Sequence, residues 1–331
     1  MKIAFKNSTA LGLVMVAGIL TLPAAHAMNS PQGIAIDGGP LGQLTLSGGV
    51  DGYGYYASNT SNGQLSHGMN VANAMVELQE SSGILQFTIE VGSSQAPLTV
   101  GALSYGSDGH LLQTSISNFS TGPLYAGYLT IAPKNMPFTV SAGRLSSLEG
   151  YEAGIDWFNP SQLTTSLFDV QNNQADGVLG TYTAGSVTLS IEFGDGWDTH
   201  VFNFLQLSGN YIFNASNSLY VYYAGNLGRT GLNAYTYALN SGWGPSGLTV
   251  GNYGPYFINS QMFGGYYSYT HGNLNLVPEV QYVYAKPDHE LGINKFTSNF
   301  GAALFSTYSF TNTPYSVGGW VEYCLLYTSP S

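Results

Sequence analysis

The stretch Ser186-Val-Thr-Leu-Ser-Ile-Glu-Phe193 alternates without a break: Val187, Leu189, Ile191 and Phe193 on one row, Thr188, Ser190 and Glu192 on the other. A strand turns successive side chains to opposite faces, so this segment reads as a strand with one apolar and one polar face. Gly83–Gly92 repeats the pattern, with Leu85, Phe87, Ile89 and Val91 against Gln86, Thr88 and Glu90. Asn70–Gln79 sets Ala72, Ala74, Val76 and Leu78 against Asn73, Glu77 and Gln79, and Gln43–Asp51 sets Leu44, Leu46 and Val50 against Thr45, Ser47 and Asp51. Leu274–Tyr284 places Leu276, Val280, Tyr282 and Tyr284 opposite Asn275, Glu279 and Gln281; Tyr315–Tyr323 places Val317, Val321 and Tyr323 opposite Ser316 and Glu322. In these six strands every acid falls on the polar row: Asp51, Glu77, Glu90, Glu192, Glu279 and Glu322. Ser218–Ala224 and Tyr256–Thr270 carry tyrosine on both rows, which leaves their faces unassigned.

Thirteen strand candidates follow one another, and the gaps between them alternate between short and long. The short gaps lie near Glu80–Gly83, Ala132–Met136, Ala184–Ser186, Asn214–Asn217, His271–Asn273 and Thr311–Pro314. The long ones are Ala57–Gly68, Gly92–Gly122, Leu145–Asp176, Gly194–His200, Asn226–Gly254 and Lys286–Thr297. A soluble β-sandwich has no reason to keep its tight turns at one end. A barrel in the bacterial outer membrane does, with short periplasmic turns and longer external loops. The expected fold is therefore an all-β, transmembrane antiparallel β-barrel whose apolar rows face lipid and whose acidic rows face water. A charge on the lipid face costs about 2–4 kcal/mol for Lys or Arg at the midplane, and less for Asp or Glu. A sandwich with its polar rows outside shows the same alternation but does not explain the gap rhythm. Bacterial barrels use even strand numbers, so at least 14 strands are expected in the full protein, with 16 as the larger alternative.

The two ends carry other signals. Lys2 and Lys6, the apolar run Ala10–Leu22 and the small-x-small end of Pro23-Ala-Ala-His-Ala27 read as a secretory signal covering residues 1–27. The barrel is expected over residues 28–323. Cys324–Ser331 resembles a translated sequencing adapter and breaks off the pattern of Tyr315–Tyr323, so the barrel is expected to be truncated at its C-terminal end. Outside the leader the basic residues are Lys134, Arg144, Arg229, Lys286 and Lys295; these five face 18 acids, a net charge of −13. That balance argues against nucleic acid, which needs clustered Lys and Arg. Cys324 is the sole cysteine, so no disulfide scaffold is available.

The third long gap holds Glu149, Glu152, Asp156, Asp169 and Asp176 and neither Lys nor Arg. Folded inward, such a loop would narrow a channel with fixed carboxylates, which attract cations and repel anions. With Asp51, Glu77, Glu90, Glu192, Glu279 and Glu322 on the wall it forms the candidate selectivity set; the bland alternative is a loop that projects outward into solvent. Arg144 shares the parity of Phe138, Val140 and Ala142, the lipid row, at the external end, where a long side chain can snorkel to headgroup phosphates. Gly194-Asp-Gly-Trp-Asp198 offers carboxylates in a turn but lacks full calcium-loop spacing, and reads better as a hairpin loop with a rim tryptophan. His67, His110, His200, His271 and His289 are scattered, without a metal-ligand partner at short spacing. No nucleophile elbow or phosphate-cradling loop is present; neither a cofactor nor catalysis is expected.

Gly143-Arg-Leu-Ser-Ser-Leu-Glu-Gly-Tyr-Glu152, Asn159-Pro-Ser and Gly194-Asp-Gly-Trp-Asp198, with Val277-Pro-Glu-Val-Gln-Tyr-Val283, Ser298–Phe310 and Val321-Glu-Tyr323, resemble the β-barrel porin-2 family of OmpL-like outer-membrane porins. The resemblance covers most of Gly42–Tyr323 and implies passive passage of small hydrophilic solutes. It also implies contact with outer-membrane lipid and lipopolysaccharide, and delivery by the barrel-insertion machinery. Assembly as a homo-oligomer is compatible with it. A non-conducting barrel serving as adhesin or scaffold is the main rival, and a secreted polysaccharide hydrolase a weaker one.

Overall fold

The computed structural model describes residues 33–56, 63–94, 98–99, 104–105, 111–112, 123–172, 174–231, 256 and 258–328. Fourteen strands form one sheet, each hydrogen-bonded antiparallel to its neighbours in chain order. They are β1 (Ile34–Asp37), β2 (Gln43–Tyr56), β3 (His67–Glu80), β4 (Leu85–Ser94), β5 (Leu124–Ile131), β6 (Phe138–Ser146) and β7 (Gln174–Ala184). Then follow β8 (Val187–Asp195), β9 (Phe202–Asn214), β10 (Asn217–Asn226), β11 (Gln261–His271), β12 (Leu274–Ala285), β13 (Thr297–Ser309) and β14 (Ser316–Thr328). Thirteen of these are the strands read from the alternation. The fourteenth, β1, is four residues long and pairs Ile34–Asp37 with Leu46–Gln43. At that length its alternation carries little signal. β11 begins at Gln261, later than Tyr256, which lies in a helical turn. β14 does not stop at Tyr323: backbone pairing continues through Cys324, opposite Gly301, to Thr328. No helix among the described residues is long and apolar enough to cross a membrane.

The burial pattern is inverted relative to a water-soluble protein. On β8, Leu189 and Ile191 are 52% and 53% exposed, while Glu192 on the same strand is 1% exposed. Val50, Ile89, Leu129, Val140, Val178, Val221, Val280 and Val321 are likewise exposed, whereas Asn73, Gln206, Asn275, Glu279 and Gln281 are buried. A sandwich would place the polar row in water, so the sandwich reading falls. Hydroxyl and amide pairs line the inner face across adjacent strands. Gln79 donates to Thr88 at 3.2 Å, Thr130 and Ser141 approach to 2.7 Å, and Thr181 and Ser190 to 3.2 Å. Directly opposed side chains of this kind are the unit of sheet stabilisation.

The sheet is curled around its polar face. One segment, residues 147–173 between β6 and β7, touches β3 through Asp156 and β14 through Ser166. β3 and β14 are eleven positions apart in the sheet, about 50 Å if it were flat. Ten residues of chain span at most about 35 Å, so only a curled sheet brings both strands to this segment.

Candidate functional site

The segment 147–173 is the third external loop, and it lies across the inner face. Its local structure is irregular: 3₁₀ turns at Asp156–Phe158 and Phe168–Val170, and the pair Leu163–Thr164, which runs parallel to Leu98–Thr99. Gly150 sits at φ +69, beside the Gln171 amide, and that left-handed backbone favours glycine where the loop turns inward. Apolar side chains seal the loop to the wall at several places, with Leu163 against Tyr53 and Ala72 and Val170 against Tyr220, Tyr222 and Met262 among them. Ile155 and Trp157 pack on Met75 of β3. Leu148 packs with Leu145 of β6 and Leu179 of β7. Leu167 packs with Val277 of β12 and Ala303 and Phe305 of β13.

Hydrogen bonds fix the same contacts. The Leu148 N–H donates to Gln206 Oε1 at 2.8 Å, the Ser147 hydroxyl donates to the same oxygen at 3.0 Å, and Tyr220 donates its hydroxyl to the Leu148 carbonyl at 2.9 Å. The Glu279 carboxylate accepts the Tyr222 hydroxyl at 2.9 Å, with the Tyr151 backbone beside it. Ser166 donates its N–H to Glu322 Oε2 at 2.7 Å and its hydroxyl to Oε1 at 3.0 Å. Gln171 donates to Gln281 Oε1 at 2.7 Å, and Gln281 donates onward to the Leu167 carbonyl at 3.2 Å. Trp320 Nε1 donates to the Leu163 carbonyl at 2.6 Å. Gln206, Gln281, Ser166 and Tyr222 did not stand out in the sequence. The only available signal was that Gln206 and Gln281 share polar rows with other inward groups.

The wall acids divide by what they touch. Glu322 accepts the Ser166 N–H of the loop, and Glu279 accepts the Tyr222 hydroxyl of β10. Asp51 accepts the N–H and Nδ2 of Asn73 at 2.7 and 2.9 Å, and Asn73 Nδ2 also lies 3.4 Å from Asp156. Glu192 is buried, with Gln206 Nε2 donating to its Oε1 at 3.3 Å. Glu77 and Glu90 are direct cross-strand partners on β3 and β4. Both are half-buried, and Glu77 accepts the Ser47 hydroxyl at 3.3 Å.

Of the loop acids, Glu149 and Glu152 are buried. Glu149 accepts the Asn172 N–H at 2.8 Å, and Glu152 accepts the Thr165 N–H at 3.1 Å as well as its hydroxyl. Burial pushes the Glu149 carboxyl up to about 8 and the Glu152 carboxyl up to about 8. Asp156 is fully buried and accepts the Gln162 amide. Asp169 lies in the second 3₁₀ turn. Asp176 corrects the sequence reading: it is not a loop residue. It belongs to β7, is the register partner of Arg144 and shares parity with the exposed Val178, the outer row. Arg144 Nη1 lies 3.7 Å from its carboxylate, so the arginine is buried against Asp176 rather than reaching for headgroups.

Two further expectations change at the end of β8. Trp197, in the turn at the end of β8, is buried with Phe204, Ala224 and Ile258 rather than exposed at the rim. Asp195 accepts the N–H groups of Asp176 and His200 at 2.7 and 2.8 Å, the bonding of a hairpin loop. His200, which showed no ligand partner by spacing, has a ligand atom within 4.8 Å of those of Asp176 and Asp195. The cation the structure places beside Asp176 is Arg144. His110 lies outside the described residues.

The profile of the family described as "Putative beta-barrel porin-2, OmpL-like" matches residues 43–325. No curated protein sequence matches the chain. Among solved structures, the outer membrane channel DcaP of Acinetobacter baumannii is 12% identical with a TM-score of 0.45, covering 81% of this chain and 75% of its own. The in-vitro folded OmpT of Vibrio cholerae, in its trimer form, is 11% identical with a TM-score of 0.46, covering 85% and 78%. A porin refined at 1.8 Å is 15% identical with a TM-score of 0.34, covering 85% and 100%. With exposed apolar rows, a polar inner face and a family profile that spans nearly all the strands, the chain belongs to the β-barrel porin-2, OmpL-like family: it is a porin of the bacterial outer membrane.

Proposed function

We propose that this porin passes small hydrophilic solutes by passive diffusion and prefers cations, and that Glu77 and Glu90 carry the preference. The observation that carries this reading is their register: two carboxylates directly opposed on the inner face, half-buried, away from the bonds that hold the third loop. Like charges on neighbouring strands raise the local cation concentration beside them. Asp51 adds to the same side of the wall. The outward rows meet outer-membrane lipid and lipopolysaccharide, and the chain reaches that membrane through the barrel-insertion machinery.

Reversal potentials in planar bilayers under a KCl gradient test the proposal. Cation selectivity is expected; an anion-selective value would end it. The apolar seals between loop and wall favour one rival, a barrel whose loop blocks conduction and which serves as a surface scaffold. Absence of conductance from folded protein would select that rival.

A further inference from the structure

We propose that Glu322 is a positioning residue, backed by Glu279 two strands away in the same register: the Glu322 carboxylate docks the third external loop across the barrel by accepting the N–H and hydroxyl of Ser166, and neither acid selects ions. This rests on the channel reading above for its conductance readout alone. The geometry is direct. Ser166 presents both its N–H and its hydroxyl to Glu322, at 2.7 and 3.0 Å, so each carboxylate oxygen takes one donor. Glu279, in register with Glu322 through Ala303, takes the Tyr222 hydroxyl at 2.9 Å and stands beside the Tyr151 backbone. Both Ser166 bonds are part-buried and charge-assisted, which makes them stronger than the same contacts in open water.

The placement of the two docks matters. Tyr151 and Ser166 lie on either side of the Asp156–Phe158 turn, the first beside Glu279 of β12 and the second bonded to Glu322 of β14. Between the docks, Gln281 clamps Gln171 and Leu167, and Leu167 plugs the pocket formed by Val277, Ala303 and Phe305. The loop is thereby tied along the β12–β14 side, while Ile155, Trp157 and Asp156 reach β3 on the opposite side. Removing the docks frees the strand-facing edge of the loop without touching the Glu77–Glu90 pair.

The test uses the full chain, refolded into lipid vesicles, in four variants: E279A/E322A, E279Q/E322Q, S166P and E77Q/E90Q. The Ala pair removes the acceptors. The Gln pair keeps an acceptor oxygen at each site but removes the charge. S166P removes the loop's donor N–H and leaves the wall intact. Single-channel conductance, reversal potential and chymotrypsin cleavage between Tyr151 and Phe168, located by fragment mass, are read for each. The expected results are a conductance raised about twofold or more and a newly cleaved loop in the Ala pair and in S166P, with rescue by the Gln pair. The reversal potential is expected to move in E77Q/E90Q and not in the Gln pair. A Gln pair that shifts the reversal potential as far as E77Q/E90Q would make Glu279 and Glu322 selectivity charges and overturn the inference. So would a loop that stays protected in both the Ala pair and S166P. If the Ala pair does not fold, S166P and the Gln pair still decide. If no variant conducts, the channel reading fails, and the cleavage pattern alone judges the docking.

Discussion

Inner acids that look alike in sequence differ in what their oxygens do. Glu77 and Glu90 oppose each other on the wall, whereas Glu322 is engaged by loop donors and Glu279 by the Tyr222 hydroxyl. E77Q and E90Q are each expected to lower the cation-to-anion permeability ratio about two- to threefold in dilute KCl, with less effect in concentrated salt where screening is strong. Bi-ionic and gradient reversal potentials read this directly. Glu149 and Glu152 set a pH dependence of defined sign. Burial raises both carboxyls, so the packed loop favours their protonated forms. That contribution is complete below the ordinary carboxylate range and is lost as pH rises through about 8. Between about pH 6 and about pH 9, therefore, protection of the loop from protease should fall and cation preference should rise. Cleavage rate and reversal potential that stay flat across that interval would contradict it. Arg144 shows what residue parity can and cannot say. Its outer parity was legible, but its neutralisation by Asp176 depends on a register between strands separated by the whole third loop.

At the scale of the element, the strands were legible because membrane and lumen impose opposite demands on alternate residues. Thirteen of the fourteen strands carry that alternation or are framed by the turn rhythm. β10 and β11 resisted assignment because tyrosine suits both environments, an apolar ring with a polar tip. The structure sorts them. Tyr220, Tyr222 and Tyr266 point inward, with Tyr220 and Tyr266 stacked at 4.9 Å, while Val221, Phe263 and Tyr269 lie on the exposed side. The loop was illegible for a different reason. Its partners, Gln206, Gln281, Glu279 and Glu322, stand tens to more than a hundred positions away, and no local period announces such contacts. Ile191 tests the outward row. Replacing it with Lys puts a charge into hydrocarbon near the middle of β8 and should destabilise the folded barrel by about 2–4 kcal/mol, whereas Ile191→Leu should be nearly neutral. Urea titration in lipid vesicles measures the difference, and a Lys variant as stable as the parent would place that row in water.

Taken whole, the molecule separates two structural tasks. Each strand from β1 to β14 is hydrogen-bonded to its neighbours along one ladder, and no pairing joins β1 to β14 among the described residues; hydrocarbon demands that a spanning sheet satisfy its backbone groups internally. The third loop then fills part of the interior, using apolar seals and docks on strands from β3 to β14. The ladder does not need the loop, because polar inner residues freed of it are hydrated by the lumen rather than left dry. The neck of the loop is also narrow: the Asn172 N–H lies 2.8 Å from the Glu149 carboxylate. Residues 150–171 can therefore be replaced by a short glycine linker without pulling β6 and β7 apart. The shortened chain is expected to reach the outer-membrane fraction and to keep the faster migration of unheated, folded barrels on SDS gels. It should conduct severalfold more than the parent and retain the cation preference set by Glu77 and Glu90. A shortened chain that runs as unfolded protein without heating would show instead that the loop is part of the scaffold, with the curled sheet depending on what it encloses.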